Sequence, residues 1–147
     1  MAVYVTNRSA NFEYDILEKF EAGLALLGSE VKSLRSGKAS ISGAYATVKG
    51  NEAFLIGAEI SPYQPKNTPK NYDPGRTRQL LLTREEIKEL TGKIRKTGLT
   101  LVPIRIYSKG RTVKLELGLG RKKKKFDKRE AIKRRETSRE IERSLKK

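Results

Sequence analysis

The feature that most constrains this chain is the concentration of positive charge at its C-terminal end. Residues 121–147 hold 14 of the 33 Lys and Arg but only 5 of the 17 Asp and Glu. Their large apolar side chains are few: Phe126, Ile132, Ile141 and Leu145. A segment of this composition cannot bury enough apolar surface to offset the entropy lost on ordering. We therefore predict a folded body over residues 1–120 and a basic tail over residues 121–147 that is disordered when free.

Two interpretations of the tail remain open from its residues alone. Glu130 lies four residues before Arg134, and Glu142 lies four before Lys146, which are spacings that support a helix. No Gly or Pro interrupts the segment. The tail is therefore either a helix that forms against a polyanion or a charged, solvated end without a structural role.

The composition excludes several classes of site. The chain has no Cys and no His, so it lacks disulfides, Cys-ligated metals and the commonest general base. We expect no enzymatic activity, no cofactor and no metal. The 147 residues suit one domain. The first ten residues do not have the pattern of a signal peptide, and no run approaches the roughly 18 apolar residues of a membrane span.

We accordingly expect a cytoplasmic, monomeric protein without membrane contact. The net charge of +16 and a pI near 10.2 indicate an acidic polymer as partner, with nucleic acid favoured over a membrane surface.

Periodicity in the body predicts two β-hairpins. Residues 112–119 alternate apolar and polar side chains, and together with residues 99–107 they flank a turn at Lys109-Gly110. Residues 44–49 and 52–60 flank Gly50-Asn51 in the same way. A further strand is predicted from alternation over residues 12–16, with a bulge or bend at Gly23.

Two helices have recognisable ends in the sequence. Ser29 as N-cap and Gly37 just beyond the last turn indicate a short helix. Thr83 and Glu86 have the spacing of a capping box, which predicts the start of a longer helix ending at Gly98.

Residues 61–78 contain four of the five prolines and form a long predicted loop. Tyr63 and Tyr72 lie in this loop beside basic residues. They either stack on nucleobases or pin the loop to the body.

Five or six antiparallel strands must protect their edges, and closure into a barrel does so. With a helix between the two hairpins, this plan is similar to an OB-fold, an architecture that commonly binds nucleic acid. We predict a mainly β fold, a small closed OB-type barrel with two or three helices. The residues contain no complete catalytic motif: residues 118–120 match only a fragment of a glycine-rich loop, and Glu85-Glu86 fits a helix cap.

Several short motifs occur in an order that resembles one family over almost the whole chain, the SsrA-binding proteins (small protein B) of bacterial trans-translation. The motifs are residues 7–8 (NR), 20–23 (FEAG), 30–38 (EVKSLRSGK), 52–55 (EAFL), 73–74 (DP), 78–82 (RQLLL), 99–103 (LTLVP) and 127–129 (DKR). The resemblance implies an OB-type barrel that binds the tRNA-like domain of transfer-messenger RNA (tmRNA) and helps deliver it to stalled ribosomes.

The resemblance also implies which residues contact RNA. Those implied for tmRNA binding are Asn7, Glu21, Arg76, Arg78, Leu81 and Thr83. Those implied for the ribosome-binding tail, at the decoding centre and messenger channel of small-subunit rRNA, are Lys122, Lys123, Lys124, Asp127, Lys128, Arg129 and Ile132.

Alternatives stay open at two of these positions and for the function. Glu21 either accepts hydrogen bonds from RNA or forms a salt bridge inside the barrel. Thr83 stands where the family commonly has Asn or His, and it either contacts RNA or only caps the helix. The alternative functions are an OB-type ribosomal or other structural RNA-binding protein, and a small hydrolase using carboxylates or Lys.

Overall fold

The computed structural model describes residues 2–123, and the bounds that follow refer to that part of the chain. The strands are β1 (Val3–Thr6), β2 (Tyr14–Leu24), β3 (Ala39–Ser40), β4 (Tyr45–Lys49), β5 (Glu52–Ile56), β6 (Glu59–Ile60), β7 (Arg78–Leu81), β8 (Thr100–Lys109) and β9 (Thr112–Lys122). The helices are α1 (Ala10–Glu13), α2 (Gly28–Arg35) and α3 (Arg84–Thr97), with a 3₁₀ turn at Pro65–Asn67.

Six of these strands close into an antiparallel barrel. The hydrogen-bonded order is β1-β8-β4-β5-β7-β2-β9, and β9 pairs again with β8 to complete the ring. Strand β1 is added on β8 outside the ring, and β3 pairs only with β6. Closure leaves little free edge, and it confirms the predicted mainly β, OB-type barrel.

The core fills the barrel interior with the alternating apolar residues of the strands. Leu115, Leu117 and Leu119 of β9 are essentially inaccessible to solvent, as is Leu101 on β8. Leu90 of α3 belongs to the same cluster of buried residues. The helix therefore packs as part of the barrel core.

Local signals placed both hairpin turns and the longer helix correctly, although the predicted second arm over residues 52–60 ends at Ile56. Lys49 pairs with Glu52 and Lys109 with Thr112, across turns that contain Gly50 and Gly110. Both glycines have positive φ angles, as tight hairpin turns require. Helix α3 begins with the predicted capping box and ends at Gly98 in the left-handed region.

Three local predictions were wrong. Phe12 lies in the helical turn α1, so β2 begins later than the alternation indicated. The register of β2 against β9 shifts between Ile16 and Glu18, whereas Gly23 pairs regularly with Leu81 and Lys114.

The third concerns the start of α2. Its N-cap is Leu27 and not Ser29. The side chain of Glu30 accepts a hydrogen bond from the Leu27 backbone N–H at 2.9 Å, which ties the N3 residue back to the N-cap at Leu27.

The last strand extends past the predicted body boundary at residue 120. Arg121 pairs with Asp15 and Lys122 with Tyr14. The backbone N–H of Lys123 then donates to Glu13 O at 2.8 Å. The rest of the predicted tail lies outside the described residues. No helix among the described residues is long and apolar enough to cross a membrane.

Candidate nucleic-acid interface

Three of the predicted RNA-contacting residues line one groove on the outside of the barrel. Glu21 of β2, Leu81 of β7 and Thr83 at the start of α3 come together there, around a volume of about 440 Å³. The other residues along it are Gly23, Asn51, Glu52, Gln79, Leu80, Leu82, Glu86, Ile87 and Lys114. The pairing of β2 with β7 brings these chain positions together, although they are some 60 residues apart.

Glu21 lies exposed on the outer face, and not inside the barrel as one alternative expected. Its side chain keeps 37% of its surface accessible. The Tyr107 hydroxyl donates a hydrogen bond to Glu21 Oε2, and Lys109 Nζ donates to Oε1 at 3.2 Å. The hydrogen bond from Tyr107, followed by that from Lys109, lowers the pKa of Glu21. The groove therefore presents an ionised carboxylate at neutral pH.

Leu81 is an exposed apolar side chain that borders Gly23. Its exposed fraction is 55%. A Cβ built on Gly23 would lie 3.1 Å from Leu81 Cβ, closer than side chains normally approach. Because Gly23 has no side chain, Leu81 can pack close to the β2 backbone and expose an apolar surface in the groove.

Thr83 performs the capping role that was one of its two alternatives. Its Oγ1 accepts a hydrogen bond from the Glu86 backbone N–H at 3.2 Å, and its own backbone N–H donates to Glu86 Oε1 at 3.1 Å. Thr83 is nevertheless exposed and lines the groove. Capping and a contact with RNA are compatible at this position.

Arg78, which the resemblance implied as an RNA contact, lies inside the core. Its side chain has no exposed surface, and its Nη2 lies 2.6 Å from Oε2 of the equally buried Glu30. The Nη1 atom donates to the carbonyl oxygens of Ala58, Pro74 and Arg76 at 2.8–2.9 Å. A buried guanidinium needs such complete pairing, so Arg78 holds the Pro-rich loop and the start of β7 to α2.

Arg76 belongs to the same cluster. Its guanidinium pairs with Glu30 through both Nε and Nη2, and about a third of the side chain stays exposed. The Tyr72 hydroxyl donates to Ile60 O at 2.8 Å and to Glu30 Oε2 at 3.2 Å. This aromatic residue pins the loop to the body, the second of its two alternatives.

The pKa of Glu30 reflects this setting. Burial alone would raise it, but hydrogen bonds from Arg76, the Leu27 backbone and Arg78 outweigh burial and lower the pKa to about 2. The carboxylate stays ionised because three sets of donors replace its lost hydration.

Asn7 is also buried, with 5% of its surface exposed. Its Nδ2 donates to Pro103 O at 2.9 Å, and its Oδ1 accepts from Ser9 Oγ at 2.9 Å. The side chain joins the end of β1 to β8 and does not lie at the surface where the resemblance implied an RNA contact.

Tyr63 keeps both of its alternatives. Its ring is half-buried, with Lys32 Nζ 5.9 Å and Lys38 Nζ 5.8 Å from the ring centroid. This arrangement attaches the loop to α2 by cation–π contacts and leaves two cationic groups beside an aromatic face.

Two of the predicted tail residues are part of the barrel end. Lys122 is the last residue of β9. Lys123 Nζ donates to Asn11 O at 2.8 Å, so its ammonium caps α1. The remaining predicted tail contacts lie outside the described residues: Lys124, Asp127, Lys128, Arg129 and Ile132.

No sequence signal indicated the residues that support Glu21. Tyr107 and Lys109 come from β8, 86 and 88 residues away along the chain. Tyr107 was predicted only as a strand residue. The strand alternation places it and Lys109 on one face, but no local signal connects that face with β2.

Comparison with known proteins identifies one family. The family model described as “SmpB protein” matches residues 4–147. The SsrA-binding protein of Gloeobacter violaceus is 52% identical over 143 residues, covering 97% of this chain and 93% of the relative. That of Chloroflexus aggregans is 51% identical over 146 residues, covering 99% and 92%.

A solved structure agrees with these sequence matches. It is described as “tmRNA-SmpB: a journey to the center of the bacterial ribosome”. The matching chain in it is 45% identical and superposes with a TM-score of 0.67, covering 86% of this chain and 92% of that one.

Proposed function

The chain belongs to the SmpB protein family, and we propose from this that it is an RNA-binding adaptor of ribosome rescue. It binds the tRNA-like domain of tmRNA and helps deliver that RNA to stalled ribosomes, where incomplete peptides are tagged. The convergence of Glu21, Leu81 and Thr83 in one groove carries the assignment of the RNA site. The family resemblance alone implied these residues, and Glu21 is some 60 residues from the other two in the chain.

The groove has the chemistry for an unstacked RNA segment. Leu81 supplies an apolar contact for a base or ribose, and the ionised carboxylate of Glu21 accepts hydrogen bonds from base amino groups. Lys114, which also lines the groove, supplies a cation for the phosphate backbone. Arg76 and the buried Arg78 support this function through the loop that they fix, and the buried Asn7 supports it by joining the end of β1 to β8.

The basic tail is proposed as the ribosome-binding part. Its charge suits the phosphates of rRNA near the decoding centre and in the messenger channel. Lys124, Lys128 and Arg129 are the proposed contacts with RNA. The helix-supporting spacings in the segment favour a helix formed against this polyanion.

We further propose that the protein acts by binding and not by catalysis. This agrees with the absence of His and Cys from the chain. Because its proposed partners are tmRNA and the ribosome, its place of action is the cytoplasm.

Replacement of Leu81 by Ser tests the groove. We expect affinity for the tRNA-like domain to fall roughly tenfold or more, because an apolar contact with RNA is lost. The matched control is Leu17→Ser, which changes an equally exposed leucine on β2 (58% exposed against 55%). Equal affinities of the two variants in filter binding or calorimetry would remove the groove as the RNA site.

The function itself needs a separate measurement. Association with ribosomes should be transient and should increase when messages lack a stop codon. Stoichiometric presence in purified, unstalled ribosomal subunits would instead favour a structural ribosomal protein.

A further inference from the structure

The outer face beside the groove contains a chain of polar contacts that ends at Glu21. Ile106 of β8 faces the interior opposite Leu115, so the neighbouring Arg105 and Tyr107 face outward. Arg105 Nη2 lies 3.1 Å from Glu116 Oε2, and its guanidinium lies 5.1 Å from the Tyr107 ring centroid. The Tyr107 hydroxyl then donates to Glu21 Oε2.

Register explains how Tyr107 reaches a strand that it does not pair with. Tyr107 lies opposite Lys114 on β9, and Lys114 lies opposite Gly23 on β2. Because Gly23 has no side chain, the Tyr107 phenol can extend over β9. It reaches Glu21, which lies two residues before Gly23 on β2. Only 4% of Tyr107 is exposed, so its hydroxyl is held in place by packing.

Both oxygens of the Glu21 carboxylate therefore have a donor from β8 before any ligand binds. Tyr107 supplies one from a buried, rigid position, and Lys109 supplies the other from an exposed one. A carboxylate oxygen has more than one lone pair, so each oxygen can still accept a bond from RNA. The donors fix the side chain in one rotamer and remove the entropy cost of ordering it on binding.

We propose that Tyr107, assisted by Lys109, is a positioning residue that holds the Glu21 carboxylate oriented toward the groove for RNA recognition. This inference rests on the proposed function of the groove. Neither residue needs to touch RNA, because each acts through the carboxylate.

Other charged groups around Glu21 do not replace this arrangement. Glu116 lies directly opposite it on β9 and is a like charge, partly compensated by Arg105 and by Lys19 at 3.9 Å. Lys114 also lowers the pKa of Glu21, less than Tyr107 and Lys109 do. Two further carboxylates, Glu52 and Glu86, line the same groove.

The test combines Tyr107→Phe with a direct titration of Glu21. Carbon-13 NMR of the full-length protein follows the Glu21 carboxyl group as pH is lowered. In the wild type its midpoint should lie below the ordinary value of 4.5, and in Tyr107→Phe it should rise toward that value. The control is Tyr45→Phe on β4, an exposed tyrosine outside the groove, which should leave the midpoint unchanged.

Affinity for the tRNA-like domain is measured on the same variants at neutral pH. We expect Glu21→Gln to weaken binding roughly tenfold, the size of one charge-assisted hydrogen bond. Tyr107→Phe should weaken it several-fold, and Lys109→Met less. In the Glu21→Gln background, Tyr107→Phe should have no further effect, because its proposed action passes through the carboxylate.

The outcomes separate this inference from the groove itself. If Glu21→Gln binds RNA as the wild type does, the proposed role of Glu21 in the groove fails, and this inference fails with it. If Glu21→Gln weakens binding while Tyr107→Phe changes neither the midpoint nor the affinity, only the positioning role is overturned. The positioning role is also overturned if Tyr107→Phe lowers RNA affinity by the same factor in the wild type and in the Glu21→Gln background. The tyrosine would then act through the barrel alone.

Discussion

At the residue scale, the buried cluster around Glu30 determines where the long Pro-rich loop lies. Both Glu30 and Arg78 have fully buried side chains, and each satisfies the charge of the other. Removing one member of such a pair leaves an uncompensated charge in the interior, which costs about 3–5 kcal/mol. These residues therefore shape the body, and their buried side chains are not available as surface contacts.

Replacement of Arg78 by Met should consequently lower the free energy of unfolding by about 3 kcal/mol or more. Urea denaturation followed by circular dichroism measures this change. Arg35→Met, at an exposed position in the same helix as Glu30, should stay within about 0.5 kcal/mol of the wild type. An Arg78→Met protein of wild-type stability would show that the buried pair contributes little.

The same cluster predicts a loss of stability in acid. The pKa of Glu30 is about 2 in the folded protein, against an ordinary value of 4.5. A carboxyl with a depressed pKa stabilises the fold fully above its unfolded pKa, and that contribution is lost as pH falls from about 4.5 toward 2. The urea midpoint of the wild type should therefore drop over this range. The Glu30→Gln variant starts from a lower stability, and its urea midpoint should drop less over the same pH range. If the drop were the same as in the wild type, the acid sensitivity would come from other carboxylates.

Sequence reasoning at this scale succeeded only where the partners are close in the chain. Thr83 and Glu86 are three residues apart, and their capping box was predicted. The partners Glu30 and Arg78 are 48 residues apart, and the family resemblance implied an RNA contact for Arg78. Its burial follows from the closure of the barrel, which no local pattern reveals.

At the element scale, α3 shows how one residue serves both folding and the groove. The capping box orients the first turn of the helix, and that turn forms one wall of the groove. Thr83→Ala should lower stability by about 1 kcal/mol, the usual cost of losing an N-cap. Thr83→Ser retains the hydroxyl and should restore most of the stability in thermal or urea denaturation.

Affinity for RNA separates the two roles of Thr83. If Thr83 only caps the helix, Thr83→Ala should bind the tRNA-like domain with wild-type affinity under conditions where it is folded. Weaker binding by Thr83→Ala, restored by Thr83→Ser, would place the hydroxyl among the RNA contacts.

The hairpins were predictable because Gly50 and Gly110 occupy turns that need positive φ angles. The pairing register of β2 was not predictable, because it shifts between Ile16 and Glu18, where β2 pairs closely with β9. A Cβ at Gly120 would lie 2.7 Å from Asp15 O. Glycine at this position thus reflects a contact between strands, whereas the sequence suggested only a change in composition.

At the scale of the whole molecule, the place where the body ends decides how the tail can be tested. The composition changes at residue 120, but the hydrogen bonds of β9 continue to Lys122, and Lys123 bonds to α1 through its backbone and its ammonium. Composition indicates which side chains are solvated. It does not show where backbone pairing ends, because charged residues at the end of a strand can pair their backbone while their side chains stay in solvent. The structural boundary therefore lies at least three residues beyond the compositional one.

A chain ending at Lys123 should fold like the full-length protein and bind the tRNA-like domain within about tenfold of its affinity, or about 1.4 kcal/mol. A chain ending at residue 120 should be less stable, because it loses the pairing of β9 with Tyr14 and Asp15 and the bond from Lys123 to Glu13. Both chains lack the proposed ribosome-binding residues, so both should fail to support tagging of stalled peptides. Urea denaturation, RNA binding and a reconstituted tagging assay measure the three properties. Efficient tagging by the chain ending at Lys123 would show that the tail is dispensable, and loss of RNA binding by that chain would show that body and tail form one binding unit.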